Sequence, residues 1–313
     1  MISFLLTISI GFVLSGCGKP EKESDLKVDN VKEVQMGEAQ KEDKTEDTQS
    51  EDTETEQANI GDKKIIKNDV ITREKSVESG EGNRIIIENP GFDYYCDDTV
   101  ANSDAAPEIT LELLTKERNQ ITDLEKWIFD NGLFMPQFPF TDDNYYYETS
   151  GDNGYETYLL TLTDLNTKEK VTLDFSKFQY GEEYKKEDID FIKQRITYAQ
   201  VENGILYVAT SHNTYAESSP QNAYITAIDL SDYHVIWKTE PLTCNSYSFV
   251  SLEQGIVCGY GFTDEDDYLK IVNKKNGKVI EQIPIESMAE YIILKDNVIY
   301  VRTYDTNYTF QCN

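Results

Sequence analysis

The chain has 313 residues, with 58 acidic and 29 basic side chains and a formal net charge of −29. So negative a chain repels nucleic-acid phosphates, anionic lipid headgroups and anionic wall polymers, which leaves cations, neutral sugars and basic protein patches as partners. Its first apolar run, Phe4 to Leu14, is shorter than the roughly 20 residues a membrane-spanning helix needs.

That run has the length of a signal-peptide core, and Leu14-Ser15-Gly16-Cys17 follows it. The tetrad resembles the lipobox of bacterial lipoproteins, although no Lys or Arg precedes the apolar run. The resemblance implies cleavage after residue 16, a diacylglycerol on the Cys17 thiol and further acylation of the new N-terminus. Two acyl chains on one residue hold a membrane stably. The expected location is the outer face of a cytoplasmic membrane, as in a Gram-positive envelope, with a periplasmic or outer-membrane lipoprotein as the alternative.

Residues 18–83 contain no Phe, Tyr or Trp and carry 19 acidic against 11 basic side chains. Such a stretch has too little apolar surface to offset its chain entropy. Residues 17–83 are therefore expected to form the lipidated Cys plus an acidic tether, with a solvated helix over Asp25–Gln40 as the alternative for that part. A flexible coil of this length averages roughly 50 Å end to end.

All 21 tyrosines and both tryptophans follow residue 83. Residues 84–313 hold 39 acidic and 18 basic side chains and suffice for one large all-β domain or two small ones. Short apolar stretches alternate there with Gly, Asn and Asp turns, which predicts many short strands. The stretches recur. Asn203-Gly204-Ile205-Leu206-Tyr207-Val208, Gln254-Gly255-Ile256-Val257-Cys258-Gly259 and Asp296-Asn297-Val298-Ile299-Tyr300-Val301 start 51 and 42 residues apart. Tyr224 to Leu230 leads through a turn into Val235-Ile236-Trp237, and Tyr268 to Asn273 into Val279-Ile280. A weaker copy runs from Leu159 to Leu173.

A period of 40 to 50 residues built as strand, strand, turn, strand is that of a propeller blade. Over residues 145–310 these repeats resemble those of quinoprotein-like β-propellers. The resemblance implies that Asp229 closes a hairpin and that Trp237 packs between blades, with Asn273 and Glu281 at those places in the next repeat. The expected fold is all-β: a propeller-like array of roughly four short antiparallel blades, closed or an open arc, at 145–178, 196–241, 247–285 and 291–310. A β-sandwich is the alternative. The last unit lacks a strand, for which Arg84-Ile85-Ile86-Ile87-Glu88 is the candidate. A capping segment at 105–140 carries one helix, with Thr122 and Glu125 as a capping box, Leu124, Trp127 and Ile128 on one face, and Gly132 at its end. Glu182–Arg195 is a candidate second helix.

Chemistry is sparse. Neither His212 nor His234 has a ligand partner at i+4, and nucleophile-elbow, phosphate-loop and dinucleotide motifs are missing. The acidic run Thr263-Asp264-Glu265-Asp266-Asp267 lacks the Gly and Glu of a calcium loop and is expected to be a charged turn. Tyr145, Tyr146, Tyr147, Tyr215 and Tyr260, with His212, form a candidate ligand face able to stack on sugars or bury against a protein. Cys96 and Cys312 lie near the two ends of the domain, where a disulfide would lock a ring, and Cys258 is expected to be a small buried hydrophobe. No metal or other cofactor is expected. A quinone-dependent dehydrogenase is disfavoured, since such enzymes have about twice as many blades. The sequence favours a non-catalytic binding or scaffold domain for a protein partner, with a carbohydrate-binding or carbohydrate-active surface protein as the alternative.

Overall fold

The computed structural model describes residues 83–100, 109–121, 123–154, 156–181 and 193–313. All belong to the unit that spans Arg73–Asn313. The expected signal sequence, Cys17, the expected acidic tether before residue 83, Thr122 and most of the candidate second helix lie outside the described residues.

The first described segment holds β1 (Asn83–Ile86), β2 (Tyr95–Cys96), β3 (Leu111–Arg118) and α1 (Leu124–Asn131). Four repeats follow. The first contains β4 (Phe140–Thr141), β5 (Tyr145–Gly151), β6 (Thr157–Asp164) and β7 (Lys170–Asp174). The second contains β8 (Arg195–Glu202), β9 (Ile205–Ser211), β10 (Tyr224–Asp229) and β11 (Val235–Lys238). The third contains β12 (Val250–Ser251), β13 (Gly255–Tyr260), β14 (Tyr268–Asn273) and β15 (Val279–Pro284). The fourth contains β16 (Ala289–Lys295), β17 (Val298–Thr303) and β18 (Thr306–Cys312).

Each repeat is one meandering antiparallel sheet, so the described residues form an all-β, propeller-like array of four blades with one short α-helix. The early strands complete three of them. β1 adds parallel to β7, β2 antiparallel to β11, and β3 antiparallel to β18. This corrects the expected use of Arg84–Glu88: that segment serves the first blade, and Leu111–Arg118 completes the last. Arg84 fixes the choice by placing its guanidinium 2.7 Å from the buried Asp174 carboxylate. Ile87 is fully buried just beyond the strand.

Three blades repeat the same hairpin turn. Asp164, Asp229 and Asn273 each accept from the backbone N–H two residues on, at 2.7, 2.7 and 2.9 Å. Each backbone carbonyl then accepts from the residue four on: Lys168, Tyr233 and Gly277. Those three residues share a left-handed backbone, with φ of 66°, 67° and 73°. The side-chain oxygen preorganises a turn that no hydrophobic residue could stabilise.

One core cluster joins the first three blades and a second joins the last two. Aromatic rings from the inner strands meet near the middle. Phe140 stacks on Tyr147 and Tyr198 at 4.7 and 5.4 Å, and Tyr198 meets the edge of Phe249 at 5.0 Å. The fourth blade reaches the first through the 119–140 segment. Trp127 and Ile128 of α1 pack on Tyr291 and Ile293, and Gln137 donates to the Tyr291 hydroxyl. The helix is capped by Asp123, whose carboxylate accepts from the Lys126 N–H, so the expected Thr122 cap moves one residue on. Its apolar face and its end at Gly132 are as expected.

Trp237 wedges between the second and third blades, as the resemblance implies. It is 1 % exposed, and its indole N–H donates to the Lys274 carbonyl at 3.0 Å. Next to it, the fully buried Lys238 ammonium donates to the Gly91 carbonyl and lies 3.9 Å over the Tyr224 ring. That contact ties the strap between β1 and β2 onto the second blade, and burial pushes this lysine down to about 7.

A Cβ on Gly277 would sit 2.5 Å from the Trp237 ring. Lys168 and Tyr233 show that side chains tolerate this backbone position, so the indole is what demands glycine there. Trp237→Ala is expected to cost about 3–5 kcal/mol in urea unfolding. Gly277→Ala is expected to be costly in the parent and nearly neutral once Trp237 is alanine. Additive costs in that double-mutant cycle would contradict the wedge.

Candidate functional site

Successive hairpins put their connections alternately at the two ends of each blade, so every seam between blades has a turn end and a loop end. At the turn end of the seam between blades two and three lies a cleft of about 830 Å³, floored by Tyr207 and Trp237. Two of its four charged side chains are matched to each other, and Glu253 and Lys275 balance in sign. Lys274 bridges Glu202 at 2.6 Å and donates to the Leu252 carbonyl, and Ser251 donates to the same glutamate. A smaller cleft of about 400 Å³ lies between blades one and two, bordered by Tyr145, Asp164 and Tyr233.

The loop end of the second seam differs. A cleft of about 710 Å³ opens there between the 212–223 loop of blade two and the 261–267 loop of blade three. Tyr215, Tyr260 and Tyr268 line it with Leu242, Lys270 and the acids Glu217, Asp264, Glu265 and Asp266. Glu265 clamps the two loops together: its carboxylate accepts from the Ala216 N–H at 2.6 Å and from the Tyr260 hydroxyl at 2.9 Å. Tyr215 stands 43 % exposed at the rim, edge-on to Phe262. Lys270 gives its ammonium to the Leu242 carbonyl at 2.7 Å, and burial lowers its pKa. The open side of the cleft thus offers the Tyr215 ring and carboxylates, while Lys270, the one cation lining it among the described residues, is turned inward over the buried Tyr260 ring.

Behind the acidic loop, Asp267 packs against Gly261, a position where any Cβ would collide with the carboxylate. One Asp267 oxygen is buried without a hydrogen-bond partner among the described residues. Burial, reinforced by Asp266, Asp305 and Glu265, pushes this carboxyl up to about 6.

Of the six residues proposed as one ligand face, the structure brings only Tyr215 and Tyr260 together. Tyr147 is a core residue, fully buried, donating to Asp142 and accepting from the Val201 N–H to tie blade one to blade two. Tyr145 borders the small cleft of the first seam, and Tyr146 is half-buried on the opposite face of β5. His212 is buried inside its loop, where desolvation pushes it down to about 4 and keeps it neutral. Its backbone is held on both sides by the Asn222 amide.

Cys96 and Cys312 are free thiols on different blades, opposite Trp237 and Leu111 respectively, and do not form the expected ring lock. β2 and β18 belong to separate sheets, so nearness in the chain ends does not become nearness in space. Among the described residues, Asp229, Asp232 and His234 could offer three metal ligands. Their geometry is that of the repeated turn, with Asp232 2.6 Å from the exposed imidazole and raising its pKa. Glu265, Lys270 and Tyr268 were not singled out by sequence as cleft residues. The acidic run next to two strand tyrosines was the available signal.

No family model matches the chain, and no curated protein matches it. Among solved structures it is similar to BamB from Moraxella catarrhalis, at 12 % identity and a TM-score of 0.30, over 55 % of this chain and 57 % of that one. A computationally designed protein, Ika8, is similar at 9 % identity and a TM-score of 0.27, over 55 % and 56 % of the two chains. This chain thus spans little more than half the length of either, and likeness at that level says nothing about the cleft.

Asp267 gives a testable pH dependence. Its carboxyl ionises near 3.8 when unfolded and near 6 when folded, so folding retains a proton between those values. The contribution to stability is complete below the unfolded value and is lost as pH rises through about 6. Asp267→Asn is expected to raise the melting temperature at about pH 8 and to leave it unchanged near pH 3.5. Equal effects at both pH values would contradict the desolvated carboxyl.

Proposed function

We propose that the chain is an extracytoplasmic lipoprotein whose propeller-like domain is a non-catalytic module that binds a basic segment of a protein partner. The cleft at the loop end of the second seam carries this reading. It combines the exposed Tyr215 ring and the half-buried Tyr268 with carboxylates that no cation neutralises among the described residues, and Lys270 is turned inward. Tyrosine rings attract ammonium and guanidinium groups through their faces, and nearby carboxylates add charge. The domain's excess of 39 acidic over 18 basic residues steers such a partner in. Cys17 supplies the anchor in this reading, and the acidic segment to residue 83 supplies reach.

Two measurements test the proposal. A fluorescent Lys/Arg-rich peptide titrated against the full chain is expected to bind, and to bind more weakly as salt rises. Tyr215→Ala and Glu217→Lys, both surface changes, are each expected to weaken binding about tenfold. A neutral oligosaccharide that binds without salt dependence, and is lost with Tyr215→Ala alone, would move the cleft to the carbohydrate reading. No binding of either ligand would overturn the site. For the anchor, fatty-acid labelling in a bacterial host is expected to mark the chain and to vanish with Cys17→Ser; label that persists would contradict it.

A further inference from the structure

Beneath the cleft lies a pair of side chains that the binding reading does not use. Cys258 lies mid-strand in β13, and Cys244 lies in the connection from β11 to β12. Both are fully buried in the core that joins the first three blades. The Cys258 thiol donates to the carbonyl of Thr243, the residue before Cys244, at 3.5 Å. The backbone brings them together in a fixed way. Cys244 donates its N–H to the Ala223 carbonyl of blade two, and the next residue, Asn245, donates to the Gly259 carbonyl beside Cys258. Lys270, directly opposite Cys258 in the sheet, sets a cation beside the pair.

We infer that Cys244 and Cys258 are a disulfide-forming pair, and that their cross-link staples the connection between blades two and three to the strand that carries Tyr260. The inference is independent of what the cleft binds. The Cys258 sulfur lies against the residue before Cys244, and the backbone after Cys244 bonds to the residue after Cys258, whereas Cys96 and Cys312 sit in separate sheets. The chemistry is ordinary thiol–disulfide exchange with an external disulfide, either a low-molecular-weight disulfide or that of an oxidoreductase. One cysteine thiolate attacks a sulfur of that disulfide and expels a thiolate, leaving a mixed disulfide. The second cysteine loses its proton and attacks the protein sulfur of the mixed disulfide. The Cys244–Cys258 bond forms and the second external thiolate leaves. The protein loses two electrons and two protons, and the external disulfide is reduced to two thiols. Because both side chains are buried in the finished fold, the exchange takes place while the chain folds.

The test uses the full chain, refolded in a reduced/oxidised glutathione buffer, unfolded without reductant, alkylated and mapped by peptide mass. The expected result is one linked peptide pair containing Cys244 and Cys258, two hydrogens lighter than its parts, with Cys96 and Cys312 alkylated. The linked form is also expected to melt roughly 5–10 °C above the reduced form. That shift is expected to survive the double change of Cys96 and Cys312 to Ser, and to vanish in Cys258→Ala if that variant folds. Alkylation of both Cys244 and Cys258, or a link from either to another cysteine, would overturn the inference. So would a melting shift that depends on Cys96 or Cys312.

Discussion

A blade is a sheet with an outer edge, and an unpaired edge is a row of backbone donors and acceptors waiting for another chain. The residues before the first repeat resolve this for three of four blades. β1 covers β7, β2 covers β11 and β3 covers β18. Among the described residues, the third blade ends on its own strand, β15, which carries the exposed Glu281 and Gln282 and closes with Pro284. β3 in turn presents an edge rich in charge, with Glu112, Lys116, Glu117 and Arg118 outward. The segment that leads into the domain is therefore part of the sheet structure. Arg84 on Asp174 and Lys238 under the β1–β2 strap fix it to blades one and two.

With the edges settled, the seams decide function. Trp237 holds blades two and three at a fixed spacing from the turn end, and Gly277 is the residue that leaves room for it. At the other end of the same seam the loops are longer, and Glu265 clamps them. A rigid wedge at one end and a clamped pair of loops at the other is an arrangement suited to presenting side chains. The turn-end cleft is larger but lined by two acids and two lysines, with Glu202 and Lys274 paired. The loop-end cleft keeps its carboxylates open, and this difference in charge is what favours it as the proposed binding face.

The blades were legible in sequence because the turn chemistry repeats. Asp164, Asp229 and Asn273 stand at matching places, each before a short apolar strand, and Trp237 marks the seam. The covering strands were not. Leu111–Arg118 exposes side chains on both faces, so it lacks the alternation that marks a half-buried strand. Arg84–Ile87 looked like a strand, but only the buried Asp174 determines which blade it joins. Tyr147 and His212 were singled out by residue type, whereas burial is a property of the assembled core. Tyr215 and Tyr260 come from different blades, and no spacing in the chain announces that Glu265 links them.

Hydrogen exchange of the full chain, read by mass spectrometry at peptide resolution, tests most directly whether the N-terminal segment is built into the propeller-like fold. The account predicts that amides of Leu111–Arg118 facing β18 exchange as slowly as those of β17 and β18, and that Asn83–Ile86 is protected with β7. Exchange of both segments at the rate of open chain, with the four repeats still protected, would contradict it.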